Sequence, residues 1–314
     1  MNGDPMQFEE PILQLRRQID EMSTAEGDPA QLAELREKLT KVAHDIYANL
    51  TPWQKTLVAR HPQRPYSLDF IAALFDEWTE VHGDRNFADD AAIVAGFARF
   101  RGTACAIVGH QKGRNTKEKI IRNFGQPRPE GFRKALRVMK LAEKFKLPIF
   151  SFVDTQGAYP GVGAEERGQA EAIAVNLREM ASLQVPIVVS VIGEGGSGGA
   201  LGLGVGDRVY MLEHAVYSVI SPEGCAAILW KNASAASDAA AAMRITAADL
   251  KKFAIIDEIV PEPDGGAHAD AAKAAELLGP YLEKGLKEMQ KIKPSLLPDE
   301  RYKKFRRMGV FEKS

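Results

Sequence analysis

Cysteine is scarce in this chain. Two stand in 314 residues, Cys105 in the apolar stretch 103–108 and Cys225 in the segment 222–228. Neither has the C-x-x-C spacing of a zinc or redox site, so two buried free thiols, no disulfide and no metal are expected. Long apolar runs are missing as well. None approaches the roughly 18 residues that span a bilayer, and the first five residues, Met-Asn-Gly-Asp-Pro, lack the charged-then-apolar order of a secretion signal. A soluble cytoplasmic protein is the expectation. Charge of one sign is not in excess either: 41 Lys and Arg against 42 Asp and Glu leave a net charge of −1. No overall field therefore favours nucleic acid or an anionic membrane.

What the chain does have is glycine, placed where it matters. Residues 193–206 read G-E-G-G-S-G-G-A-L-G-L-G-V-G, directly after the apolar run 186–192. Glycine lets a ligand approach the backbone and lets peptide N–H groups converge on an anion. If a helix opens near Ala200, the amides of Gly198, Gly199 and Ala200 lie at its positive end and can hold a developing oxyanion.

The same segment satisfies two other patterns. Gly193-x-Gly195-x-x-Gly198 fits a dinucleotide fingerprint, with Glu213 about twenty residues on. Gly195-x-Ser197-x-Gly199 fits the nucleophile elbow of α/β-hydrolases, with Asp257 and His268 following in the required order. Several alternating elements precede the glycines, unlike a fingerprint that opens the first βαβ unit, and no H-G-G-G oxyanion segment accompanies Ser197. A close-packing junction that binds nothing remains a further reading, as does a scaffold that only docks a partner.

Around this segment the chain alternates. Apolar residues at helical spacing, Phe8 to Met22 and Leu32 to Ile46 with a break at 27–29, predict a helical hairpin over residues 1–52. Its stripes are too narrow for a core of their own, so it must pack on the body or on another chain. A body over 53–290 and a tail over 291–314 complete the expected organisation. Within the body a helix is read through Phe70 and Trp78, strands over 92–100 and 103–109, a helix over 131–145, a strand over 148–154, a helix over 164–183 and a strand over 186–193. Strands over 208–212 and 216–220 follow, then mostly helix. The recurring strand-loop-helix unit makes the fold α/β.

Four segments carry a resemblance. They are Arg60-His-Pro-Gln-Arg-Pro-Tyr66, Asp154-Thr-Gln-Gly-Ala-Tyr-Pro-Gly-Val-Gly-Ala-Glu-Glu-Arg-Gly-Gln169, Val191-Ile-Gly-Glu-Gly-Gly-Ser-Gly-Gly-Ala200 and Tyr217-Ser-Val-Ile-Ser-Pro-Glu-Gly-Cys225. Together they resemble the carboxyltransferase α-subunit family of bacterial and plastid acetyl-CoA carboxylases, from about position 8 to 263. Gln156 departs from the family's Asp-Thr-Pro-Gly-Ala-Tyr, adding an N–H and a polar side chain to that loop.

The resemblance implies a crotonase-like fold of stacked ββα units and transfer of a carboxyl group from carboxybiotin to acetyl-CoA, giving malonyl-CoA. It assigns one oxyanion hole to Gly198 and Gly199, helped by Ala200, and a second to a β subunit in a tetramer of two α and two β chains. Biotin carboxyl carrier protein and biotin carboxylase are the further partners, and no cofactor is held covalently. Gly157, Ala158, Tyr159 and Gly161 read as a cleft wall beside Gly195, Gly196 and Ser197, with Ser197 as a turn residue. Between positions 112 and 146 stand twelve basic residues against three acids. Lys112 and Arg114, leaving a strand end, are the candidates for steering coenzyme A phosphates or an acidic carrier, and no interleaved aromatics suggest nucleic acid. His110 reads as a packed histidine and Ser221 as a helix N-cap.

Overall fold

The computed structural model describes residues 6–25 and 28–309; the first five residues and Gly27 of the expected hairpin break lie outside them. The hairpin is present as α1 (Glu10–Thr24) and α2 (Pro29–Ala48). Its root packs within the chain: Ile12, Ala43, Tyr47 and Leu50 cluster with Val58 of α3 (Pro52–Ala59). Next comes α4 (Ser67–Leu74), which ends before Trp78. Trp78 lies instead in a strand, β1 (Asp76–Glu80), whose irregular pairing hides the period-2 signal.

The strands β2 (Ile93–Phe100) and β3 (Thr103–His110) form an antiparallel hairpin. Arg101 and Gly102 both take positive φ at its turn, +47° and +81°, the sense that matches strand twist. After a short α5 (Thr116–Ile121), the helix α6 (Pro129–Lys144) buries Phe132, Ala135, Val138, Met139 and Ala142, a stripe at three- and four-residue spacing. Then follow β4 (Ile149–Thr155), α7 (Val162–Glu166), α8 (Gln169–Ser182), β5 (Ile187–Gly196) and α9 (Ser197–Gly204). The helix expected over 164–183 is thus two, broken at Gly168 with φ of +81°.

The chain continues with β6 (Arg208–Leu212), β7 (Val216–Ser218), α10 (Pro222–Trp230), α11 (Ala236–Met243), α12 (Ala247–Lys252), β8 (Glu258–Val260), α13 (Ala271–Met289) and α14 (Leu297–Arg306). The sheet runs β1-β2-β3-β4-β5-β6-β8, parallel from β3 onward, with β7 paired to the far end of β5. Strand β4 is buried along its whole length, as a parallel strand covered on both faces must be. Three-residue β8 carries too little pattern to be read in advance.

One expectation needs correction. Cys105 is buried, and burial pushes its thiol up to about 12, but Cys225 on α10 is only half-buried, because that helix presents much of its surface to solvent. The described part of the tail expected over 291–314, up to residue 309, is anchored to the body. Arg301 of α14, 1 % exposed, makes paired bonds of 3.0 and 2.9 Å to Asp207 and donates to the carbonyls of Met180, Leu183 and Val185. Among the described residues no helix is long and apolar enough to cross a membrane.

Candidate active site

Strand β5 runs out in glycine at the carboxyl end of the parallel strands, where α/β folds place ligands. Gly196 caps α9 without any side chain, so the first amides of that helix, from Ser197 to Gly199, have neither an intrahelical partner nor a capping oxygen. Ser197 takes φ of +51°, a left-handed conformation that costs a non-glycine residue energy and that turns the chain abruptly from strand into helix.

Close contacts set the rest. A Cβ on Gly199 would stand 2.6 Å from both Ala158 N and Gly157 C, so the α9 N-terminus and the loop after β4 touch backbone to backbone. That loop is fixed from several sides. The Thr155 hydroxyl lies 2.7 and 2.8 Å from the Gly125 and Gly157 carbonyls, sharing its one proton between them, and the Gln169 amide donates to the Pro127 and Tyr159 carbonyls at 2.9 Å. The Arg128 guanidinium lies 5.1 Å over the Tyr159 ring.

A cleft of about 550 Å³ opens between these parts, bounded by Gln156, Gly157, Ala158, Tyr159, Ser197 and Gly198. Across Ser197 and Gly198 lies an apolar cavity of about 370 Å³, walled by Leu201, Tyr217, Leu250, Ile255 and Phe305. A third hollow, about 330 Å³, is bounded by Arg60, Tyr66, Lys112, Glu194 and Gln156. Gln156 borders two of these spaces together with the small pocket at Gly195 and Gly196.

Five of the expected residues therefore share one cleft: Gly157, Ala158, Tyr159, Ser197 and Gly198. Gly161, Gly199, Ala200 and Arg114 border none of these spaces. Gly161 packs under the Tyr159 ring. Ala200 is buried at the fourth position of α9, where the helix closes its first bond, to the Gly196 carbonyl; its amide is committed, contrary to expectation. Gly199 is buried too, and its carbonyl accepts from His110 Nε2 at 3.2 Å. His110 is fully buried, and burial carries its pKa down to about 3, so the ring stays neutral and acts as a strut.

Lys112 does not reach out to phosphates as expected. Its ammonium sits 2.7 Å from Asp154 and 2.9 Å from Glu194. Burial alone would lower its pKa, but the two carboxylates outweigh burial and raise it. Glu194 in turn holds Arg60 at 2.7 Å, and Arg60 reaches Glu223 at 2.5 Å. Arg114 is engaged as well, with Asp69 and, at 3.0 Å, the Arg64 carbonyl, while its guanidinium stacks 4.4 Å over Tyr66. Residues missed in the sequence include Gln126, Gln156, Glu165, Gln169 and 219–221, all on the cleft. Only Gln156 carried a signal, as a polar residue where the resembling family has proline. Ser221 is the N-cap of α10, accepting from Gly224 N at 3.1 Å.

The hydrolase and dinucleotide readings fail on geometry. Asp257 accepts from Val209 N and pairs with Lys304, while His268 stacks on His61 at 3.8 Å. Neither meets Ser197 in any hydrogen bond among the described residues. Gly195, the second glycine of that fingerprint, faces the Tyr217 ring, whose Cδ2 would lie 2.6 Å from a Cβ there, so protein fills the space a pyrophosphate needs.

Residues 5–309 match the family model described as acetyl co-enzyme A carboxylase carboxyltransferase-like. The acetyl-coenzyme A carboxylase carboxyl transferase subunit alpha of Azoarcus sp. is 55% identical over 312 residues, covering 98% of this chain and 97% of that protein. Those of Chromobacterium violaceum and Bordetella pertussis are 56% and 53% identical, covering 98% and 99% of this chain and 97% and 99% of theirs. Transcarboxylase 12S, solved with methylmalonyl-coenzyme A and methylmalonic acid bound, superposes with a TM-score of 0.55 at 22% identity, over 68% of this chain and 41% of that one. The beta subunit of Pseudomonas aeruginosa geranyl-CoA carboxylase gives 0.55 at 18%, over 77% and 45%. The structural likenesses fix the fold as the crotonase-like α/β type, and the sequence likeness goes further: the chain belongs to the acetyl co-enzyme A carboxylase carboxyltransferase family.

Proposed function

We propose that this chain is the α subunit of an acetyl-CoA carboxylase carboxyltransferase and that it handles carboxybiotin at the α9 N-terminus. The observation that carries the reading is the uncapped start of α9 at the cleft, where Ser197 and Gly198 border open space. When carboxybiotin releases CO₂, its N–CO₂ bond breaks and negative charge collects on the ureido oxygen. The Gly198 amide, backed by the dipole of α9, meets that charge. The biotin nitrogen then takes a methyl proton from acetyl-CoA, and the resulting enolate carbon bonds to CO₂ to give malonyl-CoA. Gly199 contributes by its close fit to Gly157 and Ala158, which holds the cleft wall against the helix start.

One oxyanion site serves half of this chemistry; the enolate needs another, which we assign to a β subunit. Exposed apolar residues support a partner-completed site: Val219, on the cleft rim, is 79% exposed, and Ile228, Leu229 and Trp230 of the adjoining α10 are also open. The assembly we infer has two α and two β subunits, served in the cytoplasm by biotin carboxyl carrier protein and ATP-dependent biotin carboxylase, in fatty acid synthesis.

The test is malonyl-CoA formation from carboxybiotin and acetyl-CoA, with the chain alone and with a β subunit co-expressed. Activity is expected only from the pair. Turnover by the isolated chain would overturn the division of labour, and an inactive, well-assembled pair would overturn the function. Ser197→Ala should leave most of the activity, because no base activates that hydroxyl.

A further inference from the structure

Far from the cleft, at the root of the helical hairpin, three side chains from distant parts of the sequence converge. Glu9 enters from the turn before α1, His61 from the loop after α3 and His268 from the loop before α13, and one ligand atom of each lies within 4.8 Å of the others. The two imidazoles stack at 3.8 Å, and Glu9 Oε1 stands 3.3 Å from His268 Nε2. The Tyr47 hydroxyl donates to Glu9 and lies 3.2 Å from His268 Nε2. These side chains are shielded: Glu9 and His268 are 9% and 7% exposed. The nitrogen of His268 that faces Glu9 is Nε2; Nδ1, on the other side of the ring, is buried without a hydrogen-bond partner.

We propose that Glu9, His61 and His268 form a binding site for a divalent transition metal, with zinc the best match. Two imidazoles and a carboxylate are a borderline donor set of the kind zinc takes, leaving one position for water. Tetrahedral zinc with bonds of about 2.1 Å needs donors about 3.4 Å apart. The half-buried His61 ring turns out of its stack on His268 to reach that spacing, because two imidazoles on one tetrahedral ion hold their ring centres about 5 Å apart. When Nε2 of His61 takes the metal, Nδ1 carries the proton and the 3.2 Å contact from Gln63 N opens. Tyr47, bonded to Glu9, orients the carboxylate from outside the ligand shell. The metal staples the hairpin start to the loop after α3 and to the loop before α13; the apolar cluster around Tyr47 joins the first two, and the 3.0 Å contact of His44 with Asp264 reaches the third.

The experiment uses the untagged full chain, stripped with chelator and titrated with zinc by calorimetry, alongside Glu9→Gln, His61→Ala and, as a control, His82→Ala. His82 pairs with Asp89 on the surface at 3.1 Å and lies outside the cluster. One equivalent of zinc is expected, with a melting temperature that rises with zinc concentration. Affinity should fall at least about 10-fold in Glu9→Gln and His61→Ala and stay unchanged in His82→Ala. Should either variant fail to fold, by far-UV circular dichroism, the cobalt(II)-loaded wild type decides: intense visible bands of a four-coordinate ion with nitrogen ligands support the site. No binding, binding indifferent to Glu9 and His61, or a six-coordinate cobalt spectrum overturns it.

Discussion

A single methyl group separates the roles of two adjacent glycines. On Gly198 it would meet only Ile173 Cδ1, at 3.4 Å, an ordinary contact on the cleft wall, whereas on Gly199 it would strike backbone at 2.6 Å. Gly198→Ala should therefore keep the unfolding midpoint in urea near wild type while cutting carboxyl transfer. Gly199→Ala should cost about 1–3 kcal/mol of stability as the Gly157–Ala158 backbone is pushed aside, together with activity. Equal stability losses in the two variants would contradict this division. His110 belongs to the same scale. Its Nε2–H serves the Gly199 carbonyl, and with a pKa near 3 the ring should show neutral ¹⁵N chemical shifts at every pH from 4 to 8. A titration step near pH 6.5 would show that the strut is absent.

Among the elements, α14 reveals most about what patterning hides. Its sequence is strongly charged, yet Arg301 is buried against Asp207 and several carbonyls between α8 and β5. Removing one partner of a buried pair strands the other, so Arg301→Leu should lose about 3–5 kcal/mol in urea unfolding. Arg178→Ala, at a surface pair with Glu179 where the arginine is 72% exposed, should change stability by no more than ~1 kcal/mol. The same logic explains the basic stretch between 112 and 146. Lys112, Arg133 and Lys134 each meet a carboxylate supplied by another element, Asp154, Asp84 and Asp89. Sequence charge counts see only one side of such pairs.

Across the whole molecule, buried ionic groups set the response to acid. Arg64 and Glu262, 1% and 0% exposed, pair at 2.6 Å; burial pushes the Glu262 carboxyl up, and Arg64 and His214 more than reverse it, to about 2. A depressed carboxylate gives stability that is complete above its ordinary pKa of 4.5 and disappears as pH falls towards 2, on the order of 3 kcal/mol for this group. His110, held neutral by burial to about 3, acts in the same direction from pH 6.5 downward. Urea midpoints should accordingly be flat above about pH 7 and fall continuously below pH 6. A stability maximum near pH 4 would refute this assignment.

The α/β class, most strand and helix positions, and the grouping of residues 154–169 with 191–200 were legible in the sequence, because hydrophobic period and glycine placement are local signals. Which of those glycines face a cavity was not, since Gly198 and Gly199 differ only in what the loop after β4 brings against them. The tertiary structure alone decided that Lys112 is spent on Asp154 and Glu194 and that positions 9, 61 and 268 meet. Each of these depends on contacts between segments tens to hundreds of residues apart, and such contacts leave no periodicity in the chain.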